Sequence, residues 1–162
     1  MRREAKQRSS GTYLWIAFGL LAPAAFVGIM VSAATRPKTT QGAIVGDHWH
    51  AQFTIAVCGR ALPPFPPSNG GVHTHGDGLI HIHPGNPAEG GANANLGRFL
   101  ASVGVRLTPE SLQLPDGVAH RNGDKCPDGK AGVVHVLVNG KDNSAWDAYV
   151  LRNRDVVVIE FR

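Results

Sequence analysis

The stretch HWHAQFTIAVCG, residues 48–59, alternates between apolar and polar side chains over most of its length. Its odd positions carry the large apolar residues Trp49, Phe53, Ile55 and Val57, and its even positions include His48 and His50. Successive side chains of a strand point to opposite faces of a sheet. The alternation therefore predicts a half-buried strand with both histidines on its polar face.

A second histidine-rich stretch, GVHTHGDGLIHIHPG, covers residues 71–85. Its LIHIH portion predicts another strand, with two isoleucines on one face and His81 and His83 on the other. Pro84 is expected to end this strand, since proline has no N–H to donate. His73 and His75 are predicted on the loop that feeds it. Six of the eight histidines of the chain thus fall in two short segments.

Further along, NLGRFLASVGV, residues 95–105, has apolar residues at the spacing i, i+3, i+4, i+7. This spacing predicts a short amphipathic helix, with Asn93 or Asn95 as N-cap and Gly104 just after its end. Residues 105–130 are rich in turn signals around a predicted short turn of helix at TPES, residues 108–111. Two more strands are predicted at residues 132–140 and 154–161.

The predicted order is strand, strand, helix, strand, strand. Together with the N-terminal segment described next, this indicates an α+β protein. Its fold is expected to be a single-pass N-terminal transmembrane helix followed by a β-grasp-like mixed sheet packed on one main helix.

The N-terminal segment has a basic front end, followed by an apolar run from Leu14 to Ala34. A helix needs about 20 apolar residues to cross a membrane, and basic residues favour the cytoplasmic side. We expect a cytoplasmic tail over residues 1–12, a transmembrane helix over 13–34, a linker over 35–46 and an extracytoplasmic domain over 47–162. The predicted location is the cell membrane. A cleaved secretory signal is the alternative, and it also exports the domain.

The formal net charge of +4 is concentrated at the N-terminus. Without residues 1–35, the chain has 12 Lys and Arg against 11 Asp and Glu. It also has no basic run with interleaved aromatic residues, so we predict no nucleic-acid partner.

The two cysteines, Cys58 and Cys126, both lie in the predicted extracytoplasmic part. In an oxidising compartment an isolated pair is most simply a disulfide, which would stabilise a small domain by about 2–4 kcal/mol. The alternative, two thiolate metal ligands, is disfavoured outside the cytoplasm.

Two resemblances add to this interpretation. VHVLVNGK and DAYVLRNRDVVVIEF resemble the closing strands of β-grasp proteins of the sulfur-carrier type. The chain ends in Glu-Phe-Arg instead of the Gly-Gly of those carriers, so their chemistry does not carry over. The combination of DHWH, HTHGDGLIHIHP, NLGRFL and VLVNG also resembles a family of uncharacterised membrane-anchored bacterial proteins, a resemblance that implies no activity.

Three His-x-His pairs predict a metal site. Two histidines at i and i+2 of a strand lie about 6–7 Å apart, so their rings can converge on one ion. The predicted ligands are His48, His50, His73, His75, His81, His83 and Asp77. Asp47 is predicted to accept the second ring N–H of a ligand and so to set its tautomer, and Asp77 could take the same role instead of binding the ion directly. The alternative is a solvated or protonation-sensitive patch of histidines.

Imidazole ligands suit zinc or copper(II), and both are predicted cofactors. Copper(I) is disfavoured because a bridged cysteine pair offers no thiolate and both methionines, Met1 and Met30, precede residue 35. The predicted partners are the membrane, through the anchor, and a metal ion. A protein partner in the membrane or a second copy of the chain stays open.

Three functions compete on this evidence. The first is a membrane-anchored extracytoplasmic protein that binds zinc or copper(II). The second is an interaction module of a membrane complex with a structural metal or a pH-sensitive histidine face. The third is a metal-dependent enzyme, which we rank last because the chain has no HExxH, nucleophile elbow or recognisable triad, and we predict no catalytic residues.

Overall fold

The alternating stretch forms the long strand β1, Trp49–Val57, at the centre of a mixed sheet. This sheet belongs to a computed structural model, which describes residues 42–162. As the alternation predicts, Ala51, Phe53 and Ile55 are buried on one face of β1, and the residues between them point to the other.

The described residues form ten strands, one α-helix and three short 3₁₀ turns. In chain order, the strands and the helix are β1 Trp49–Val57, β2 Arg60–Ala61, β3 Val72–His73, β4 Leu79–Ile82, α1 Leu96–Ser102, β5 Arg106–Thr108, β6 Ser111–Gln113, β7 Ala119–Arg121, β8 Val134–Val138, β9 Lys141–Asp142 and β10 Val156–Phe161.

The main sheet has the strand order β3-β4-β1-β10-β8-β9, and β2 also pairs with β1. The first and last long strands, β1 and β10, pair in parallel, and all other pairs are antiparallel. Strands β5, β6 and β7 form a separate three-stranded sheet. The mixed sheet with one α-helix agrees with the sequence prediction.

Helix α1 begins where the sequence indicates. The side chain of Asn95 accepts a hydrogen bond from the backbone N–H of Arg98 at 2.9 Å, which makes Asn95 the N-cap. Gly104 follows the last turn with a positive φ of 75°, as a helix end favours. The helix buries Leu96, Phe99 and Leu100, and the Phe99 ring packs against Phe53 of β1 with centroids 4.7 Å apart.

Two hairpins in the main sheet turn on two residues each, Cys58-Gly59 between β1 and β2 and Asn139-Gly140 between β8 and β9. All four of these residues have positive φ. Two-residue turns with positive φ match the twist of the strands that they join. The turn at Cys58 also places its sulfur where it forms a disulfide with Cys126.

The predicted turn of helix at residues 108–111 is wrong. Thr108 ends β5, Ser111 begins β6, and Pro109-Glu110 form the turn between the two strands. The hydroxyl of Thr108 accepts a hydrogen bond from the N–H of Glu110 at 3.2 Å and lies 3.0 Å from the Ser111 hydroxyl. Leu107 and Leu112 face each other across this hairpin and are both buried, and the burial of their apolar side chains favours the paired strands.

The fold-class prediction also needs correction at the N-terminus. A transmembrane helix is not supported: among residues 42–162, no helix has the length and apolar character needed to span a membrane. The only α-helix of the described part, α1, has seven residues, against the roughly 20 that a span requires. The predicted tail, 1–12, and helix, 13–34, lie outside the described residues.

The predicted linker, residues 35–46, falls partly within the described part of the chain. There Ala43 is fully buried, and its carbonyl accepts a hydrogen bond from the N–H of Gly91 at 2.8 Å. The described end of the linker thus packs as part of the domain that begins nominally at residue 47.

Candidate metal site

The register of three neighbouring strands places three histidines in one row. In the antiparallel pair β1 and β4, His50 lies opposite His81. In the pair β3 and β4, His73 lies opposite His81 on its other side. Side chains that face each other across a sheet lie about 5 Å apart, so the three rings are brought together on one face.

Each of the other three histidines lies just outside a strand, two residues from a member of this row, and its ring lies close to others of the group. The ring centroids lie 4.9 Å apart for His48 and His83, 4.5 Å for His73 and His83, and 4.2 Å for His75 and His81. We call the six residues the histidine cluster: His48, His50, His73, His75, His81 and His83.

The opposite face of the same three strands packs into the hydrophobic core. Ala51 of β1, Val72 of β3, and Ile80 and Ile82 of β4 are each at most 1% exposed. A shift of the register by one residue would turn these side chains to solvent and the histidines into the core. The core therefore holds the cluster in place.

Burial differs within the cluster. His73 and His81 are each only 7% exposed, His50 and His83 are half-buried, and His48 and His75 are exposed. The cluster thus has a buried middle and two accessible histidines, one preceding β1 and one following β3.

His73 is oriented by a backbone carbonyl. Its Nδ1 lies 2.6 Å from the oxygen of Gly70, so Nδ1–H donates to that carbonyl and the lone pair of the ring is left on Nε2. Gly70 adopts a φ of 110°, which strongly favours glycine at this position. Hydrogen bonding of one ring nitrogen to a carbonyl is the usual way in which a metal-binding histidine is held.

The free nitrogen of His73 faces another imidazole. Its Nε2 lies 2.9 Å from Nε2 of His75. Two nitrogen ligands of a tetrahedral zinc ion lie roughly 3.3 Å apart, given Zn–N bonds of about 2.0–2.1 Å. The two nitrogens can share a proton in the metal-free protein, and a small adjustment of the exposed His75 side chain would let both bind one ion.

His81 is oriented by a carboxylate. Its Nε2–H donates to Oδ2 of Asp77 at 2.8 Å, which leaves the lone pair on Nδ1. Nδ1 of His81 is buried and has no hydrogen-bond partner, and it is the one such side-chain atom found among residues 42–162. Because buried polar atoms are nearly always paired, this nitrogen is available to a ligand.

Two groups of three histidines in the cluster can hold a metal ion. One consists of His48, His81 and His83, and the other of His73, His75 and His83. In each group the candidate ligand nitrogens all lie within 4.8 Å of one another. Three protein ligands leave a fourth position of a tetrahedral ion open to water or to another ligand.

The electrostatics favour the ligating form of the imidazoles. Burial, followed by the neighbouring histidines, lowers the pKa of His50 and His83 below the usual 6.5. Burial also lowers the pKa of His73, although the hydrogen bond to Gly70 opposes this. These three rings are therefore neutral at pH 7, with a lone pair available to a metal.

Asp77 lies at the edge of the cluster, paired with His81. Burial opposes its ionisation, but hydrogen bonds from His81 and from the N–H of Leu79 outweigh this and lower the pKa of its carboxyl. An ionised Asp77 holds the His81 tautomer. The structure thus gives Asp77 an orienting contact, which is one of the two roles, direct ligand or acceptor of a ring N–H, that the sequence left open for it.

Asp47, the other acid predicted near the site, contacts its own turn. Its Oδ2 accepts a hydrogen bond from the N–H of Ile44 at 2.8 Å. The described hydrogen bonds of Asp47 include none to a histidine ring. The orienting groups of the cluster are instead Asp77 and the carbonyl of Gly70. No sequence signal could have identified Gly70, since every residue has a carbonyl.

The two remaining histidines lie outside the cluster. The ring of His120 packs against Phe161 with centroids 5.2 Å apart, and Nδ1 of His135 lies 3.4 Å from a carboxylate oxygen of Asp142. His120 and His135 are therefore suitable control positions for substitutions in the histidine cluster.

The cysteines form the predicted disulfide. Cys58, in the turn after β1, is bonded to Cys126 across a separation of 68 residues, and the described residues contain no free cysteine. This bond leaves no thiolate for a metal, so the donors near the cluster are nitrogen and oxygen.

Comparison of the chain with protein-family models, with curated proteins and with solved structures finds no match. The functional argument therefore rests on the geometry of the cluster.

Proposed function

We propose that this protein binds zinc or copper(II) through the histidine cluster and works outside the cytoplasm. The observation that carries the proposal is the presence of two groups of three histidines whose ligand nitrogens lie within 4.8 Å. Histidines scattered on a polar face for solubility alone would have no reason to converge in this way.

The orientation of the two buried rings supports the same proposal. His73 is held by Gly70 and His81 by Asp77, and each contact leaves one lone pair directed away from its partner. A carboxylate or carbonyl behind a histidine raises its basicity and holds its orientation in metal sites. The unpartnered Nδ1 of His81 is the atom that a bound ion would satisfy.

The choice of metal and compartment follows from the donor set. Neutral imidazoles suit zinc and copper(II), and the disulfide removes the thiolates that copper(I) would prefer. A disulfide between the only two cysteines of the chain is typical of an oxidising compartment.

Metal analysis tests the proposal. The full chain, purified without a histidine tag, is incubated with Zn²⁺ or Cu²⁺ under non-reducing conditions, desalted and measured by mass spectrometry. We expect about one equivalent of bound metal per chain, with three imidazoles and an open position around the ion. No bound metal with either ion would refute the proposal.

A matched pair of variants shows where the metal binds. The double variant His75→Ala, His83→Ala removes a ligand from both groups, and we expect it to retain little metal. The double variant His120→Ala, His135→Ala removes two histidines outside the cluster and should bind as the wild type does. Equal loss in both variants would show that the cluster is not the site.

A further inference from the structure

The two groups of three histidines are not independent, because both contain His83. A neutral imidazole has one protonated nitrogen and one lone pair, so His83 can serve one ion at a time. A second divalent cation a few ångströms away would also be repelled strongly, since imidazole ligands carry no negative charge to offset it.

We infer that the cluster holds a single ion in either of two alternative positions and passes it between them while His83 stays bound. The first position uses His48 and His81, and the second uses His73 and His75. This inference rests on the proposed function and deepens it: the site is built to transfer its ion, where a storage site would need one position only.

The exposure of the ligands supports transfer. Each group pairs one buried histidine, His81 or His73, with one exposed histidine, His48 or His75. The stacked rings of His75 and His81, with centroids 4.2 Å apart, show that the two groups are in contact. An ion can therefore enter at one exposed histidine, cross the buried middle and leave at the other.

The contacts of His73 and His75 without a metal also suit a pair of ligands from which the ion departs and to which it returns. When the ion lies with His48 and His81, the two nitrogens of His73 and His75, 2.9 Å apart, can share one proton. The buried His73 then keeps a hydrogen bond to the exposed His75 without a metal. Because an unpaired buried polar atom is unfavourable, this lowers the barrier to leaving that position.

The test compares three single variants of the full chain, His48→Ala, His75→Ala and His83→Ala, for Zn²⁺ stoichiometry and Kd by competition with a chromophoric chelator. We expect one equivalent for the wild type. His48→Ala and His75→Ala each remove one position and leave the other, so each variant should still bind one equivalent, with Kd raised by less than about tenfold. His83→Ala should weaken binding more than about 100-fold, since even residues behind a ligand contribute about 10–100-fold.

Several results would overturn the inference. Two equivalents in the wild type would show two ions bound together, and an effect of His48→Ala or His75→Ala as large as that of His83→Ala would show a single site. These differ from failure of the proposed function, which would appear as no binding in the wild type. His120→Ala is the control, and far-UV circular dichroism checks that each variant is folded.

A measurement on the unmodified chain avoids any dependence on the variants. In long-range ¹H–¹⁵N spectra, one equivalent of Zn²⁺ should shift the ring signals of both His48 and His75, because the ion exchanges between the two positions. If only one of these rings responds at saturation, the ion has one position and the inference fails.

Discussion

Two buried polar groups of this domain, the Asp155 carboxylate and the His81 imidazole, differ in whether their hydrogen bonds are complete. Asp155 is 4% exposed, and both of its carboxylate oxygens accept hydrogen bonds. One oxygen accepts from the side chain of Asn139, and the other from the Tyr149 hydroxyl and the N–H of Arg152, all at 2.9 Å. His81 is almost as buried, yet its Nδ1 has no partner.

This difference in hydrogen bonding distinguishes a group that stabilises the fold from one that can bind a ligand. A buried polar group whose bonds are complete contributes to stability and needs nothing more. A buried group with a lone pair left over costs stability until something binds it. We therefore assign the Asp155 network to the fold and propose the histidine cluster as the site of a metal ion, and three changes can break or sharpen this distinction.

The largest effect is expected at Asp155. Asp155→Ala leaves the polar groups of Asn139 and Tyr149 without their acceptor, and hydrogen bonds to a charged group are worth about 1.5–3 kcal/mol each. We expect the free energy of unfolding to fall by about 3 kcal/mol or more, measured by urea denaturation of the metal-free protein.

The control for this change is Asp142→Ala, at a side chain that is 76% exposed, for which we expect a change within about 0.5 kcal/mol. Zinc affinity per folded molecule should be unaffected by Asp155→Ala. If it fell as well, the two centres would be coupled and the assignment would need revision.

A smaller effect is expected at Asp77. Asp77→Ala removes the carboxylate that orients His81, and loss of such a group typically costs about 10–100-fold in metal affinity. We expect this full loss in a His75→Ala background, where only the position with His48 and His81 remains, and a smaller loss in the otherwise intact chain, where the other position can still bind the ion. Chelator competition measures this, and Asp77→Asn, which retains an acceptor without the charge, should lie between Asp77→Ala and the wild type.

Asp47→Ala provides the comparison. Its carboxylate contacts the N–H of Ile44, so we expect metal affinity to be unchanged. A loss equal to that of Asp77→Ala would restore the role that the sequence suggested for Asp47 and contradict the orientation argued from the structure.

The smallest effects concern pH, and they should occur at opposite ends of the range for the two centres. In the metal-free protein the pKa values of His50, His73 and His83 are lowered by burial, so the unfolded state binds more protons. Their contribution to stability is fully present above the unfolded pKa near 6.5 and is lost as the pH falls through the lower folded values.

At the alkaline end, burial and the hydrogen bond to Asp155 raise the pKa of Tyr149 to about 12. Its contribution is present below the unfolded pKa of about 10 and is lost as the pH rises through the folded value. Urea unfolding between pH 5 and pH 11 measures the free energy of unfolding at both the acid and the alkaline end. Tyr149→Phe should remove only the loss of stability at the alkaline end, and His50→Ala should reduce only the loss at the acid end. Any other pattern contradicts the assigned causes.

The strands and the helix could largely be predicted because their signals are local. Alternation in residues 48–57 and the cap at Asn95 are properties of adjacent residues, and the structure confirms both. The hairpin at Thr108–Ser111 was missed, because a short turn of helix and a tight β-turn share the same polar residues and only the burial of Leu107 and Leu112 decides between them. The resemblance to β-grasp carriers and to a bacterial family stays a prediction.

The candidate site was predictable as a set of residue types and much less as a geometry. All six clustered histidines were identified from their spacing. The sequence also suggested Asp77 as an acceptor for a ring N–H, but it did not indicate which histidine Asp77 contacts, and it did not suggest Gly70. Both contacts depend on how the loop of residues 70–78 folds back on β4. The Asp155 network was missed entirely, since its partners lie at residues 139, 149 and 152, and no periodic pattern links them.

The sequence by itself determined which side chains share a face, because the direction of a side chain along a strand repeats every two residues. It also determined that imidazole is the main ligand chemistry available there, and the Cys58–Cys126 bond in the structure then confirmed that both thiolates are removed. Only the tertiary structure decided that β4 lies between β1 and β3 in the register that aligns His50, His81 and His73. Strand neighbours and register depend on burying Ala51, Ile80, Ile82 and the rest of the core together, and that long-range free energy is not written in any local pattern.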